Sequence, residues 1–153
     1  SIRNGVYELE KHFGEKDVVL VHDAIRPMVS PEIISDCIIK TQQHGSAISV
    51  VPCAEAMLQT ADGYKSTGSQ PREYLRRTQT PQGFFIKELG NLHREALQAG
   101  ITNSVASCTL MIEMGHQVHF STGSEKNIKL TTVDDIDIFK ALLLVKRSDW
   151  MKG

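Results

Sequence analysis

Four consecutive apolar residues, Val18-Val19-Leu20-Val21, run directly into His22-Asp23-Ala24-Ile25-Arg26-Pro27, and this string constrains the fold more than any other in the chain. Three of the four are Val, and such a run reads as a strand buried on both faces, as in a parallel sheet. It ends in an acid, then a cation three residues on, then a proline that stops further pairing. Ligands of open α/β sheets bind at the carboxyl ends of strands. The string therefore predicts Asp23 and Arg26 at the lip of a sheet. That pair suits a metal-bound or phosphorylated, hydroxyl-rich substrate, because a carboxylate can ligate Mg²⁺ and a guanidinium grips phosphate bidentately. A turn-capping Asp23, with Arg26 paired to it or solvated, is the competing reading of the same residues.

Composition excludes several classes. A chain of 153 residues with 41% hydrophobic content suffices for one soluble domain with a real core. A net charge of −1 supplies no basic field for nucleic acid and no polybasic patch for a membrane surface. No apolar run approaches the roughly 18 residues of a membrane span, and no signal-peptide pattern opens the chain. Cys37, Cys53 and Cys108 are odd in number and widely spaced, which predicts reduced thiols in a cytoplasmic protein. Ser1-Ile2-Arg3-Asn4-Gly5-Val6 opens without Met and reads as the middle of an element. The expectation is a fragment whose N-terminal part is missing.

Along the chain, strands and helices alternate. A short helical stretch is expected from Val6 to Phe13, then the strand at Val18. Ser30 is a good N-cap, with Pro31 at the first helical position and Glu32 favouring the dipole. The helix that follows carries Ile33, Ile34, Cys37 and Ile38 on one face and ends near His44-Gly45. Ala47 to Val51 reads as a second buried strand. Strands separated by helices of this length predict right-handed crossovers and a mostly parallel, Rossmann-like sheet with flanking helices.

The stretch from Cys53 to Arg77 breaks that rhythm. Residues 56–64 read as a hairpin turning at Asp62-Gly63. A polar run then leads to Arg72, Arg76 and Arg77. Met57, Leu58, Tyr74 and Leu75 are more apolar surface than an isolated hairpin can bury, so the segment predicts a protruding β-arm that dimerises the chain. Beyond it, Pro81 pushes Thr80 extended. Helices are expected from Ile86 to Ala99 and from Asn103 to Met114. Short strands are expected at Gln117–Phe120 and around Leu130. Thr132-Val133-Asp134-Asp135 is a helix start of the Thr-x-x-acid type, opening a helix from Ile136 to Val145. His116-x-x-His119 would point to opposite faces of a strand, so it is not expected to ligate a metal. Cys108 reads as core.

His22-Asp23-Ala24-x-Arg26-Pro27, Gln79-Thr80-Pro81-Gln82 before an aromatic, and Asn127-Ile128-Lys129-x-Thr131 before Asp-Asp and a helix occur here in that order. Together they resemble the sugar- and polyol-phosphate cytidylyltransferases, which make CDP-methylerythritol in isoprenoid synthesis or CDP-ribitol for cell-surface polymers. The resemblance covers essentially the whole chain. It implies attack of a polyol phosphate on the α-phosphorus of CTP, Mg²⁺ bridging the phosphates, and departure of pyrophosphate. It further implies that Asp23 holds acceptor hydroxyls near the metal, with Arg26 alongside. Ala24 would lie under the nucleotide, and the Ser1–Gly5 segment would help hold it. Lys129 would be the cation at the transferring phosphates, Thr80 a hydroxyl contact, and Arg72 a grip on the acceptor phosphate in the neighbouring subunit. The family's glycine-rich phosphate loop should lie upstream of Ser1, so residues 1–153 alone are expected to be inactive.

Two departures fall on the acceptor side. Where the family's arm has Asp-Thr-x-Lys, this chain reads Glu55-Ala56-Met57-Leu58. Where the family has acids before its second-last strand, this chain has Thr102-Asn103-Ser104-Val105-Ala106-Ser107. The acceptor can thus be methylerythritol 4-phosphate, ribitol 5-phosphate or a related polyol phosphate. Two other classes stay open: another nucleotidyl- or glycosyltransferase of similar sheet, and a non-catalytic oligomerisation module. A shared site requires Asp23 and Lys129 to lie within about 15 Å, the reach of two long side chains and a substrate.

Overall fold

A ten-residue strand of mostly polar sequence, RRTQTPQGFF, organises the molecule. This strand, β5 (Arg76–Phe85), lies second in a four-stranded sheet of order β1-β5-β2-β6. The computed structural model describes residues 2–102 and 106–151. Strand β1 is Val18–Val21, β2 is Ser46–Pro52 and β6 is Phe120–Thr122. β5 runs antiparallel to both β1 and β2, while β2 and β6 pair in parallel. Three strands therefore point one way, and the fourth is inserted against them.

The sheet is thus mixed, and two of its three ladders are antiparallel. The cause lies in β5 itself. Gln79 to Phe84 are all buried, but the amides of Gln79 and Gln82 are buried because they hydrogen-bond neighbouring segments, not because they are apolar. β1 is correspondingly half-buried rather than covered on both faces. The expected strand around Leu130 is instead a connecting segment, held by one bond from the Leu130 N–H to the Ile25 carbonyl (2.9 Å).

Helices flank the sheet: α1 (Ile2–Leu9), α2 (Pro31–His44), α3 (Ile86–Gln98), α4 (Ser107–Glu113) and α5 (Val133–Met151). α1 starts earlier than expected, and Lys11 to Phe13 continue only as turns. α2 is capped as its sequence predicts. Ser30 Oγ accepts the Ile33 N–H, Pro31 opens the helix, and Gly45 closes it with φ 88°. The expected helix from Asn103 begins outside the described residues, and α4 is seen from Ser107. α5 is capped by Asp135, whose Oδ2 accepts from the Thr131 and Thr132 N–H groups. Those two backbone donors hold the Asp135 carboxyl at about 2. Among the described residues no helix is long and apolar enough to cross a membrane.

The core lies between α1, α3, α4 and the sheet, where Val6, Ile48, Phe84, Leu89, Leu92, Ala96, Cys108 and Leu110 pack together. Cys37, Cys53 and Cys108 are buried and free. A hairpin forms in the expected stretch, but its second strand lies further along than the 56–64 reading: β3 (Met57–Gln59) pairs with β4 (Gly68–Gln70) in a separate two-stranded sheet, with Asp62-Gly63 inside the longer connection. Asp62 Oδ1 accepts from the Tyr64 and Lys65 N–H groups at its turn. Leu58 is 68% and Tyr74 82% exposed, and Met57 is also exposed.

Two glycines predict opposite outcomes. A Cβ on Gly123 would stand 2.7 Å from the Val50 carbonyl oxygen and 2.6 Å from Gln79 Oε1. Gly123→Ala should therefore destabilise by about 2 kcal/mol, a drop of roughly 4–8 °C in Tm. A Cβ on Gly5, inside α1, would meet nothing within 4 Å. Gly5→Ala should stabilise by about 0.5–1 kcal/mol through helix propensity. Thermal melts of the two variants check both; a neutral Gly123→Ala would contradict the close approach.

Candidate active site

Three chain segments distant in sequence meet at the end of β1. The first is the turn 22–26, closed by the Arg26 N–H on the Asp23 carbonyl (3.0 Å). The second is the middle of β5, and the third is the segment 124–130. Gln79 joins the last two. Its Nε2 donates to the Ser124 carbonyl (2.9 Å), and its Oε1 accepts from the Ser124 N–H and from Asn127 Nδ2 (both 3.2 Å). Asn127 is fully buried and also donates from Nδ2 to the Thr80 carbonyl (2.8 Å). Its Oδ1 is a buried acceptor with no hydrogen-bond partner among the described residues.

Charge gathers on this frame. Asp23 Oδ2 lies 3.2 Å from Arg26 Nε and 3.5 Å from Lys129 Nζ. The shared site expected of Asp23 and Lys129 is therefore formed. Arg26 is largely covered and also donates from Nη1 to the Asn127 carbonyl (2.7 Å), so it braces the two loops as well as the carboxylate. Lys129 is 46% exposed on its side chain. Two cations around one carboxylate leave a local excess of positive charge on an open ledge, which is what an anionic substrate needs. Exposed ion pairs contribute little to stability, so their value here is placement.

Thr80 Oγ1 accepts the Asp23 N–H (2.9 Å) and lies 2.9 Å from His22 Nδ1. Ala24 is exposed in the turn between Asp23 and Arg26. The remaining predicted residues are not brought into this cluster by any contact. Arg72 sits in a 3₁₀ turn, Arg72–Tyr74, at the base of the arm, exposed, and donates to the Ala54 carbonyl (2.7 Å). Gly5 lies on the exposed face of α1. α1 itself docks on α3, with Arg94 paired to Glu10 and stacked 4.9 Å over the Tyr7 ring. Ser1 and the acid-free stretch 103–105 lie outside the described residues.

Arg26 and Lys129 both approach Asp23 through Oδ2, and the carboxylate supplies a hard oxygen ligand suited to a cation. No group of three or more His, Cys, Asp or Glu able to hold a metal occurs among the described residues. This donor set suits Mg²⁺ carried largely by substrate phosphates, as that ion is commonly bound. The strand expected at Gln117–Phe120 lies instead at Phe120–Thr122, so His116 and His119 precede it; His116 pairs with Glu95 (3.6 Å), and His119 stacks on His44 (4.5 Å). Residues with clear structural parts that sequence reasoning left without roles are His22, Gln79 and Asn127. All three lie inside the quoted motifs, which was the available signal.

The chain is similar in sequence and in fold to known proteins. A ribitol-5-phosphate cytidylyltransferase from Lacticaseibacillus paracasei is 39% identical over 149 residues, covering 95% of this chain and 63% of that protein. A 2-C-methyl-D-erythritol 4-phosphate cytidylyltransferase from Acidobacterium capsulatum is 37% identical over 135 residues, covering 86% of this chain and 56% of that protein. The crystal structure of the 2-C-methyl-D-erythritol 4-phosphate cytidylyltransferase from Thermus thermophilus superposes with a TM-score of 0.78 at 29% identity, covering 93% of this chain and 68% of that one. The chain thus spans less than two thirds of the length of these two sequence relatives. The family described as IspD, 2-C-methyl-D-erythritol 4-phosphate cytidylyltransferase, matches residues 1–145, and the chain belongs to that family.

Proposed function

We propose that the full-length protein transfers the cytidylyl group of CTP to a polyol phosphate and releases pyrophosphate. The observation that carries this reading is the Asp23 carboxylate held between Arg26 and Lys129 at the end of β1. An oxygen of the acceptor's phosphate forms the new bond to the α-phosphorus, and the bond to the β-phosphate oxygen breaks. Such chemistry needs positioning and charge stabilisation more than covalent participation by the protein. Lys129 faces the charge that develops on the transferring phosphate. Asp23 holds acceptor hydroxyls, steadied by Arg26. Thr80 retains a lone pair that can accept from a substrate hydroxyl. Asp23 would hold Mg²⁺ together with the triphosphate, and the ion would supply charge neutralisation at the phosphates.

Ala24 and the Ser1–Gly5 segment serve the nucleotide. Gly5 supports this, because a helix-interior glycine with empty space beside it has no packing reason to be glycine. Arg72 reaches the acceptor phosphate of the neighbouring subunit, in a homodimer formed through the arm. The exposed Met57, Leu58 and Tyr74 support that partnership. The protein works in the cytoplasm, where CTP is available.

Ribitol 5-phosphate is the favoured acceptor. The relative from Lacticaseibacillus paracasei carries that activity in its name, and Ala56 stands where the family's arm commonly has a Thr that touches the acceptor. A pyrophosphate-release assay of full-length protein with CTP against a panel of polyol phosphates tests this. Ribitol 5-phosphate should give a kcat/KM at least about tenfold above methylerythritol 4-phosphate, about 1.4 kcal/mol of discrimination. The reverse order would overturn the assignment of the acceptor.

A further inference from the structure

His22 is exposed, yet both of its ring nitrogens are engaged. Nε2 lies 3.1 Å from the Arg26 carbonyl oxygen, and Nδ1 lies 2.9 Å from Thr80 Oγ1. A carbonyl oxygen only accepts, so Nε2 carries a proton. In the neutral ring Nδ1 is then an acceptor. Thr80 Oγ1 already accepts the Asp23 N–H at 2.9 Å, and its own proton turns to Nδ1. The bonds form one directed chain, from the Asp23 N–H through the Thr80 hydroxyl and the His22 ring to the Arg26 carbonyl. It starts and ends on the same turn, the one that carries the charged pair.

Resting on the cytidylyl-transfer reading above, we propose that His22 is a positioning residue: as its Nε2–H tautomer it orients the Thr80 hydroxyl and thereby fixes the Asp23–Arg26 turn. Two consequences follow from the chemistry. The turn is pinned at its amide end by Thr80 and at its carbonyl end by His22, which fixes the backbone that carries Asp23 and Arg26. And the Thr80 proton is committed to His22 Nδ1, so the small part of this largely buried hydroxyl that a substrate can reach presents a lone pair. It therefore selects a donor, such as a polyol hydroxyl, over a phosphate oxygen. Displacements of about 1 Å near reacting atoms can cost two orders of magnitude in rate, so a tautomer lock of this kind affects turnover as well as folding.

The test combines a spectroscopic signature with two amide variants of the full-length protein. Nitrogen-15 correlation spectra at mildly alkaline pH should show a pyrrole-type Nε2 and a pyridine-type Nδ1 for His22. The opposite tautomer overturns the proposal. His22→Asn keeps an acceptor near the Nδ1 position, whereas His22→Gln keeps only a donor near the Nε2 position. His22→Gln should lower kcat by about tenfold, the loss of one oriented hydrogen bond, with KM for CTP little changed. His22→Asn should lose no more than about threefold on the same scale. Equal losses in both variants, or losses that track Tm alone, would mean a structural role and overturn the proposal. The spectrum is read without substrate, so a failure of the tautomer is distinguishable from a failure of cytidylyl transfer itself.

Discussion

Lys129→Ala in the full-length protein should lower kcat for the proposed cytidylyl transfer by about 10²–10³, the range for removing one preorganised group that stabilises developing charge. Timing is what separates this effect from a loss of stability. Lys129 Nζ lies 3.5 Å from Asp23 Oδ2 with nearly half its side chain exposed. A pair that wet contributes at most about 1 kcal/mol to stability, so Tm should scarcely move. In the proposed transition state, phosphate charge would approach a cation already in place, an interaction with no equivalent in the free protein. KM for CTP should therefore change much less than kcat. Lys129→Arg should recover only part of the rate, because a planar fork does not place its charge where an ammonium does. Steady-state kinetics beside a thermal melt reads all of this. A loss of stability that accounts for the lost activity would assign Lys129 to the fold instead.

Arg72→Ala fails differently. It is expected to raise KM for the polyol phosphate by about 10–100-fold, the value of a charge-assisted contact to a group that does not react. KM for CTP should stay nearly constant. Arg72 stands exposed at the base of the arm, with one nitrogen on the Ala54 carbonyl and no contact to the Asp23 cluster. Its proposed phosphate therefore belongs to a neighbouring subunit, whose surface would also cover Leu58 and Tyr74. Arg72→Lys should not restore KM fully, since a point charge cannot reproduce a bidentate grip. Mixing Arg72→Ala protein with Lys129→Ala protein should regain activity, because each mixed dimer contains one site with both residues intact. Absence of recovery after demonstrated subunit exchange would place Arg72 in its own subunit's site.

The juxtaposition of Asp23, Arg26 and Lys129 was legible in the sequence. An apolar run ending in an acid marks a strand end, and the ordered motifs supplied the distant lysine. The α2 caps, the arm and its exposed apolar side chains were legible for the same reason: each depends on residues close together in the chain. β5 was not. Gln79, Thr80 and Gln82 look like loop residues because local polarity carries no record of the partners that bury them. Those partners are Ser124, Asn127, His22 and Cys108, between 26 and 58 positions away. The same distance hid the role of His22, which depends on Thr80 across the sheet. The direction of the sheet followed β5, so a pattern of three co-directional strands read as parallel until the fourth was placed between them.

The most direct measurement is pyrophosphate release by the full-length protein supplied with ribitol 5-phosphate and each nucleoside triphosphate in turn, with Lys129→Ala run alongside. The predicted result is release with CTP, dependent on the polyol phosphate, and its near-disappearance in the variant. Release that is indifferent to the nucleotide, or undiminished without Lys129, would contradict cytidylyl transfer at this site.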